Sequence, residues 1–204
     1  MPLQNRVTPF GDIVATPERG TMMGNRGGCF HRDDGSLKDR RWASKAWIAC
    51  VLDFKNRRRT LRQPGRYTEL FFLDEATALA AGHRPCAECR RTEFMEFAAR
   101  WNKLRGRDGR AYVREMDDIL HAERHTSAPA NASQSVTLSG LPEGAMAVAD
   151  GRPYLKWERA VWAWNFAGYT RIKNPPNTAR LITPPAIVEV LADGYRPRIH
   201  SSIS

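Results

Sequence analysis

Apolar positions along this chain fall into three patterns. The first is short continuous runs. Trp47–Phe54 (WIACVLDF) and Glu69–Leu73 (ELFFL) read as buried strands. Together, Trp47–Phe54 and Tyr67–Phe72 predict a hairpin, with the basic stretch Asn56–Arg66 at its tip. The second pattern is helical. Phe94, Phe97, Ala98, Trp101 and Leu104 share one face of a helix expected over Thr92–Leu104. Val113, Met116, Ile119 and Leu120 mark another within Tyr112–His125. The third pattern is β-rich and C-terminal, with runs at Ala145–Ala149, Tyr154–Trp157 and Val161–Trp164. Asp150-Gly151 between two of them is a hairpin signal, lengthened by Arg152-Pro153.

Punctuation sharpens these elements. Asp74 is placed to N-cap a short helix over Ala76–Ala81, with Glu75 in its first turn. The alanine-rich composition favours that helix, and Gly82 supplies the left-handed position that ends it. Pro85 then prevents continuation. Thr183 reads as the N-cap of a final helix, with Pro184 at its first position and Gly194 at its end. The small, polar stretch Ser127–Ser139 reads as a linker. The expected organisation is therefore α+β: a hairpin-plus-helices domain over 1–126, a linker over 127–139, and a small β-rich domain over 140–204 ending in a helix.

Composition narrows the class. A hydrophobic fraction of 42% is enough to build a packed core. The net charge of +10, from 32 Lys and Arg against 22 Asp and Glu, favours polyanionic partners, with nucleic acid (DNA or RNA) first. Arginines concentrate in two places, Arg57, Arg58, Arg59, Arg62 and Arg66 in one loop and Arg105 and Arg107 in another. Both loops are candidates for phosphate contact. Trp157, Trp162, Trp164, Phe166 and Tyr169 lie near Lys156, Arg159, Arg171 and Lys173. Such aromatics either stack bases or fill the core of a small sheet. No signal-peptide pattern opens the chain, and no apolar run approaches a membrane span of ~18 residues. Together with four cysteines that form no disulfide framework, this predicts a cytoplasmic protein with no membrane partner.

The candidate chemistry sits at Cys86-Ala87-Glu88-Cys89. Two thiolates separated by two residues at a turn reach one Zn²⁺ at ~2.3 Å each. A thioredoxin-like redox use of the pair finds no βαβ pattern to support it. The other ligands must come from elsewhere, and the candidates are Cys29, His31 and Cys50, with His83 close to the pair. Cys50 also fits a bland role as a small buried side chain.

LFFLDEATALAAGHRPCAECRR closely resembles the second half of the metal-binding domain of the Ada methyl-phosphotriester DNA-repair family. It also resembles Ada-like zinc modules fused to nucleases. Phe71, Ala78, Ala81, Gly82, Arg84, Pro85, Cys86 and Cys89 carry the resemblance, which spans about 25 residues. It implies Cys86 and Cys89 as zinc ligands. The family's other pair, C-x-x-x-C, is missing here. Relatives that use a His and a Cys point to His31 and Cys50, with Cys29 as the alternative to His31. Because the family's methyl-accepting cysteine belongs to the missing pair, the resemblance implies a zinc-centred nucleic-acid-binding protein more directly than a transferase.

Two alternatives remain from the residues. A zinc-dependent nucleobase deaminase uses P-C-x-x-C and H-x-E, matched here in reversed order by Pro85–Cys89 and His121–Glu123. A methyl-accepting repair protein would use Cys50 or Cys29 as a metal-activated thiolate. His121 and His125, one helical turn apart, are also placed to share a metal.

Overall fold

The computed structural model describes residues 2–56, 66–126 and 135–203. Among them the chain forms two six-stranded sheets and four α-helices, an α+β architecture that ends in a helix.

The first sheet contains β1 (Gln4–Val7), β2 (Ile13–Ala15), β3 (Met22–Asn25), β4 (Ile48–Cys50), β5 (Leu70–Phe72) and β6 (Arg84–Pro85). Its order is β2-β1-β5-β3-β4-β6. β3 pairs antiparallel with both β4 and β5, so the two strands expected to form a hairpin do not touch. The glycine- and arginine-bearing stretch Arg19–Gly28 reads from the sequence as a loop, yet its Met22–Asn25 segment is the strand that separates them. All four of its residues are buried, and Gly24 is what allows this. A Cβ there would lie 2.3 Å from the Ile48 carbonyl oxygen and 2.8 Å from the Phe72 ring.

The second sheet contains β7 (Ser135–Val136), β8 (Met146–Ala149), β9 (Arg152–Trp157), β10 (Ala160–Asn165), β11 (Gly168–Ile172) and β12 (Ala179–Leu181), in the order β11-β10-β9-β8-β12-β7. Ala149 pairs with Arg152, so Asp150-Gly151 alone makes the turn, with φ of 50° and 73°. Arg152-Pro153 starts the next strand rather than lengthening the turn. Glu158-Arg159 makes a second two-residue turn, with φ of 49° and 59°. Neither residue is a glycine, and the Glu143 carboxylate accepts both of their backbone N–H groups.

The helices are α1 (Glu75–Ala80), α2 (Arg91–Leu104), α3 (Val113–Thr126) and α4 (Pro185–Ala192). All six residues of α1 are buried. Ala78 and Ala81 pack with Val7, Met22, Leu70 and Phe72 of the first sheet, while Ala76 and Ala80 pack with Met146, Leu155 and Trp157 of the second. Alanine on both faces lets the two sheets approach one thin helix. Asp74 caps it as expected, accepting the Thr77 N–H at 2.9 Å, and Gly82 ends it at φ 78°.

The region 140–204 does not pack as an isolated body. A single apolar cluster joins Phe94, Phe97, Trp101, Met116 and Leu120 to Ala147, Tyr154, Val161, Ile187 and Val190. Leu104 falls outside this core and is 42% exposed. Polar contacts cross the same boundary. Asp74 accepts from Tyr169 Oη at 3.1 Å and from His200 N at 3.0 Å. Glu75 accepts from Tyr195 Oη at 2.6 Å and from Arg198 N at 2.9 Å, and it pairs with buried Arg90 at 2.7 Å. Trp157, Trp164 and Tyr169 are core residues. Pro184, rather than Thr183, holds the N-cap position of α4. Thr183 Oγ1 instead accepts the Met146 N–H at 2.9 Å. No helix among the described residues is long and apolar enough to cross a membrane.

Candidate metal centre

β4 and β6 run parallel, with Ile48 opposite Arg84 and Ala49 opposite Pro85. The Arg84 N–H donates to Trp47 O at 3.1 Å, and the Cys86 N–H donates to Ala49 O at 2.9 Å. This short ladder carries the start of the Cys86–Cys89 turn to the end of the strand that holds Cys50. The turn closes on itself through Arg90 N to Cys86 O at 3.1 Å, and the Glu88 N–H points at Cys86 Sγ, 3.4 Å away.

The result is a cluster of Cys50, Cys86 and Cys89 whose sulfur atoms all lie within 4.8 Å of one another. All three are free thiols, with Cys50 and Cys86 buried and Cys89 partly exposed. Tetrahedral zinc with Zn–S distances of ~2.3 Å needs sulfurs about 3.8 Å apart. The donor set therefore fits a thiophilic divalent ion with only small movements. Met23, which faces Cys50 across the strand pair, and Phe71 pack beside the sulfurs and dry the site.

The electrostatics suit this role. Cys86 is pulled far below the usual thiol range because the Cys50 and Cys89 thiols donate to it. Cys50 is pushed well up because it is the donor to Cys86 and Cys89. Two thiols donating to one thiolate are in the arrangement that a metal replaces, releasing those protons on binding.

His31 is not part of this cluster, nor is Cys29, the two candidates for the fourth position. Bonds to His31 run instead from its Nε2 to the Gln4 carbonyl at 3.0 Å and to its Nδ1 from Thr68 Oγ1 at 3.4 Å. Gln4 belongs to β1, which is separated from β4 by β5 and β3. Three strand spacings amount to about 14 Å, too far for a shared ion. Cys29 is exposed and lies 3.6 Å from His31 O. His83 is buried and turned the other way, its Nε2 accepting from Arg26 Nε at 3.3 Å. The stretches 57–65 and 127–134, outside the described residues, contain no Cys, His, Asp or Glu.

Neither His121 nor Glu123 joins Cys86 and Cys89, as a permuted deaminase would require. His121 stacks edge-on against Trp42, with ring centroids 4.6 Å apart. Both Glu123 carboxylate oxygens lie 3.2 Å from the Ala186 N–H, so this side chain serves the N-terminus of α4. Its pKa is raised mainly by burial.

Arg57, Arg58, Arg59 and Arg62 lie outside the described residues. Arg66 is exposed. Arg105 lies over the Trp101 ring at 3.7 Å and within 3.6 Å of Glu189. Arg107 pairs with Glu115 and lies over Tyr112 at 4.9 Å. The Arg105–Arg107 turn is thus committed to its own neighbours. A different cationic surface is open instead. Arg159, Arg171 and Lys173 line a cleft of about 490 Å³ beside the β10–β11 pair, with no acidic residue in its wall.

Comparison with models of known protein families, with curated proteins and with solved structures finds no match to this chain.

Proposed function

We propose that this protein is a zinc-binding, nucleic-acid-binding protein with Cys50, Cys86 and Cys89 as its metal ligands. The observation that carries the reading is the convergence of the three sulfurs from two separate segments. An all-thiolate donor set selects zinc over the oxygen-seeking cations. The resemblance of Tyr67–Arg91 to the Ada metal-binding module supports the same metal through Cys86 and Cys89. Three protein ligands leave the fourth tetrahedral position to solvent or to a ligand atom.

Nucleic acid is the partner that the charge favours. The chain carries a net charge of +10, and Arg159, Arg171 and Lys173 line an acid-free groove that suits a phosphate backbone. Arg66 adds a further exposed cation in the segment that follows Cys50. The basic lining suits contact with a phosphate backbone.

The test is fluorescence anisotropy of labelled single- and double-stranded oligonucleotides against the zinc-loaded full chain at several salt concentrations. Affinity is expected to fall linearly on a log–log plot, and Arg171→Glu with Lys173→Glu is expected to weaken it at least tenfold. Retention that is absent, or independent of salt, would remove the nucleic-acid reading and leave the metal reading standing.

A further inference from the structure

A second site lies away from the cysteines, where the two sheets meet. Its centre is Trp47. The Arg26 guanidinium lies over the Trp47 ring at 3.8 Å and that of Arg124 at 4.2 Å. Arg26 is 2% exposed, and its hydrogen-bond acceptors are neutral: Gly11 O at 2.9 Å and His83 Nε2 at 3.3 Å. Arg124 donates to three carbonyls, Leu120 O at 2.9 Å, Gly82 O at 3.1 Å and Lys45 O at 2.8 Å. Among the described residues neither guanidinium forms a salt bridge. Asp117, the acid nearest in effect to Arg124, is already held in two bonds by Arg84.

Buried cations without a carboxylate are costly. Burial first, with the charge of Arg124, lowers Arg26 to about 9, and burial first, with the charge of Arg84, lowers Arg124 to about 10. A fold that only needed to clamp loops together would gain from neutral side chains at these positions. The pair makes sense beside an anion, and a cleft for one is present. A cavity of about 320 Å³ is bounded by Arg124, Arg180, Asp12 and Trp47, with Phe10 and Leu181 among its apolar walls. That volume is at the small end of the ~300–1,000 Å³ range of ligand clefts.

We propose that this cleft binds an organic phosphate of nucleoside-monophosphate size. The cavity wall carries two guanidiniums, Arg124 and Arg180, against one carboxylate, Asp12, with Arg26 behind it, a net positive lining suited to a phosphate monoester. Arg124 and Arg180 are the contacting cations. Arg26 sits behind Trp47 and Gly11 and contributes charge and position. Both terminal nitrogens of Arg124 keep a second N–H for the ligand, because a guanidinium has five donors and three are spent on carbonyls. The apolar wall takes the body of the ligand, and Phe10, 45% exposed at the rim, offers a ring for a planar base. The ligand is a free nucleotide or one nucleotide of a strand. The site does not depend on the cysteine cluster or on the basic groove.

The test is isothermal titration calorimetry of the full chain with AMP, with adenosine as the phosphate-free control, followed by competition with a short single-stranded oligonucleotide. AMP is expected to bind at least tenfold more tightly than adenosine. Arg180→Glu, a change at an exposed position, is expected to weaken AMP at least tenfold with an unchanged melting temperature. Competition by the oligonucleotide would identify a nucleotide within a strand, and its absence a free nucleotide. Failure of AMP to bind, equal affinity for adenosine, or indifference to Arg180→Glu would overturn the proposal.

Discussion

Arg84 and Asp117 form a two-pronged ion pair, Nε to Oδ1 at 2.7 Å and Nη2 to Oδ2 at 2.8 Å, with both side chains nearly buried. Arg84 immediately precedes Pro85-Cys86, and Asp117 is a buried residue of α3. The pair therefore ties the strand that delivers the cysteine turn to a helix of the shared core. Asp117→Ala would leave a buried guanidinium uncompensated. It is expected to lower stability by about 3–5 kcal/mol, read from urea unfolding. A loss below about 1 kcal/mol would place the pair in solvent.

Gly82 is expected to be intolerant of a side chain for two reasons. Its φ is 78°, and an added Cβ would lie 2.6 Å from Arg124 Cδ. Arg124 cannot swing aside without losing three carbonyl acceptors. Gly109 has a similar φ of 89° but open space around it. Gly109→Ala should cost only the backbone term, about 1–2 kcal/mol. Gly82→Ala should cost clearly more in the same denaturant series, and equal costs would show that Arg124 moves freely.

His83 makes stability depend on pH. Burial first, and then the charges of Arg26 and Arg124, hold it well below the usual histidine range. The unfolded chain therefore takes up a proton near pH 6.5 that the folded chain refuses. Stability from this residue is fully present above ~6.5 and declines as pH falls below it, by up to about 1.4 kcal/mol per pH unit. His83→Gln keeps an acceptor for Arg26 without a titrating ring. Urea midpoints between pH 7.5 and 5.5 should fall less steeply in the variant, and parallel profiles would contradict the assignment.

The two sequence halves should unfold as one. Their apolar cluster is continuous, and Glu75 accepts from Arg90 on one side of the boundary and from Tyr195 and Arg198 on the other. Calorimetry should give a single transition with matching calorimetric and van't Hoff enthalpies. Tyr195→Phe should lower stability by roughly 1.5–3 kcal/mol, the worth of a hydrogen bond to a charged group, without splitting the transition. Two resolved transitions would show separate domains.

Local signals in the sequence located α1 with its Asp74 cap and Gly82 stop, the helices α2 and α3, and three strands of the second sheet, β8, β9 and β10, but not β11, β12 or β7, which forms inside the stretch read as a linker. The located elements depend on residues close together in the chain. Strand pairing does not, and the sequence misread it at β3, because Met22–Asn25 lacks a recognisable alternating pattern and is buried on both faces. The fourth metal ligand is no more legible: His31, with Cys29 as alternative, is implied only by relatives that use a His and a Cys, whereas two strands stand between β1, where His31 is bonded, and β4. The Trp47 cleft was equally hidden. Arg26, Trp47 and Arg124 are far apart in sequence, and only the fold shows that both guanidiniums lie over one ring and donate to no carboxylate.

The most direct measurement of the central claim is metal content by native mass spectrometry on the full chain and on single variants. The account predicts one zinc per chain. It should be lost or weakened at least tenfold in Cys50→Ser, Cys86→Ser and Cys89→Ser, and retained in Cys29→Ser and His31→Ala. A chain that takes up no zinc, or one that keeps it in Cys50→Ser and loses it in His31→Ala, would contradict the three-cysteine site.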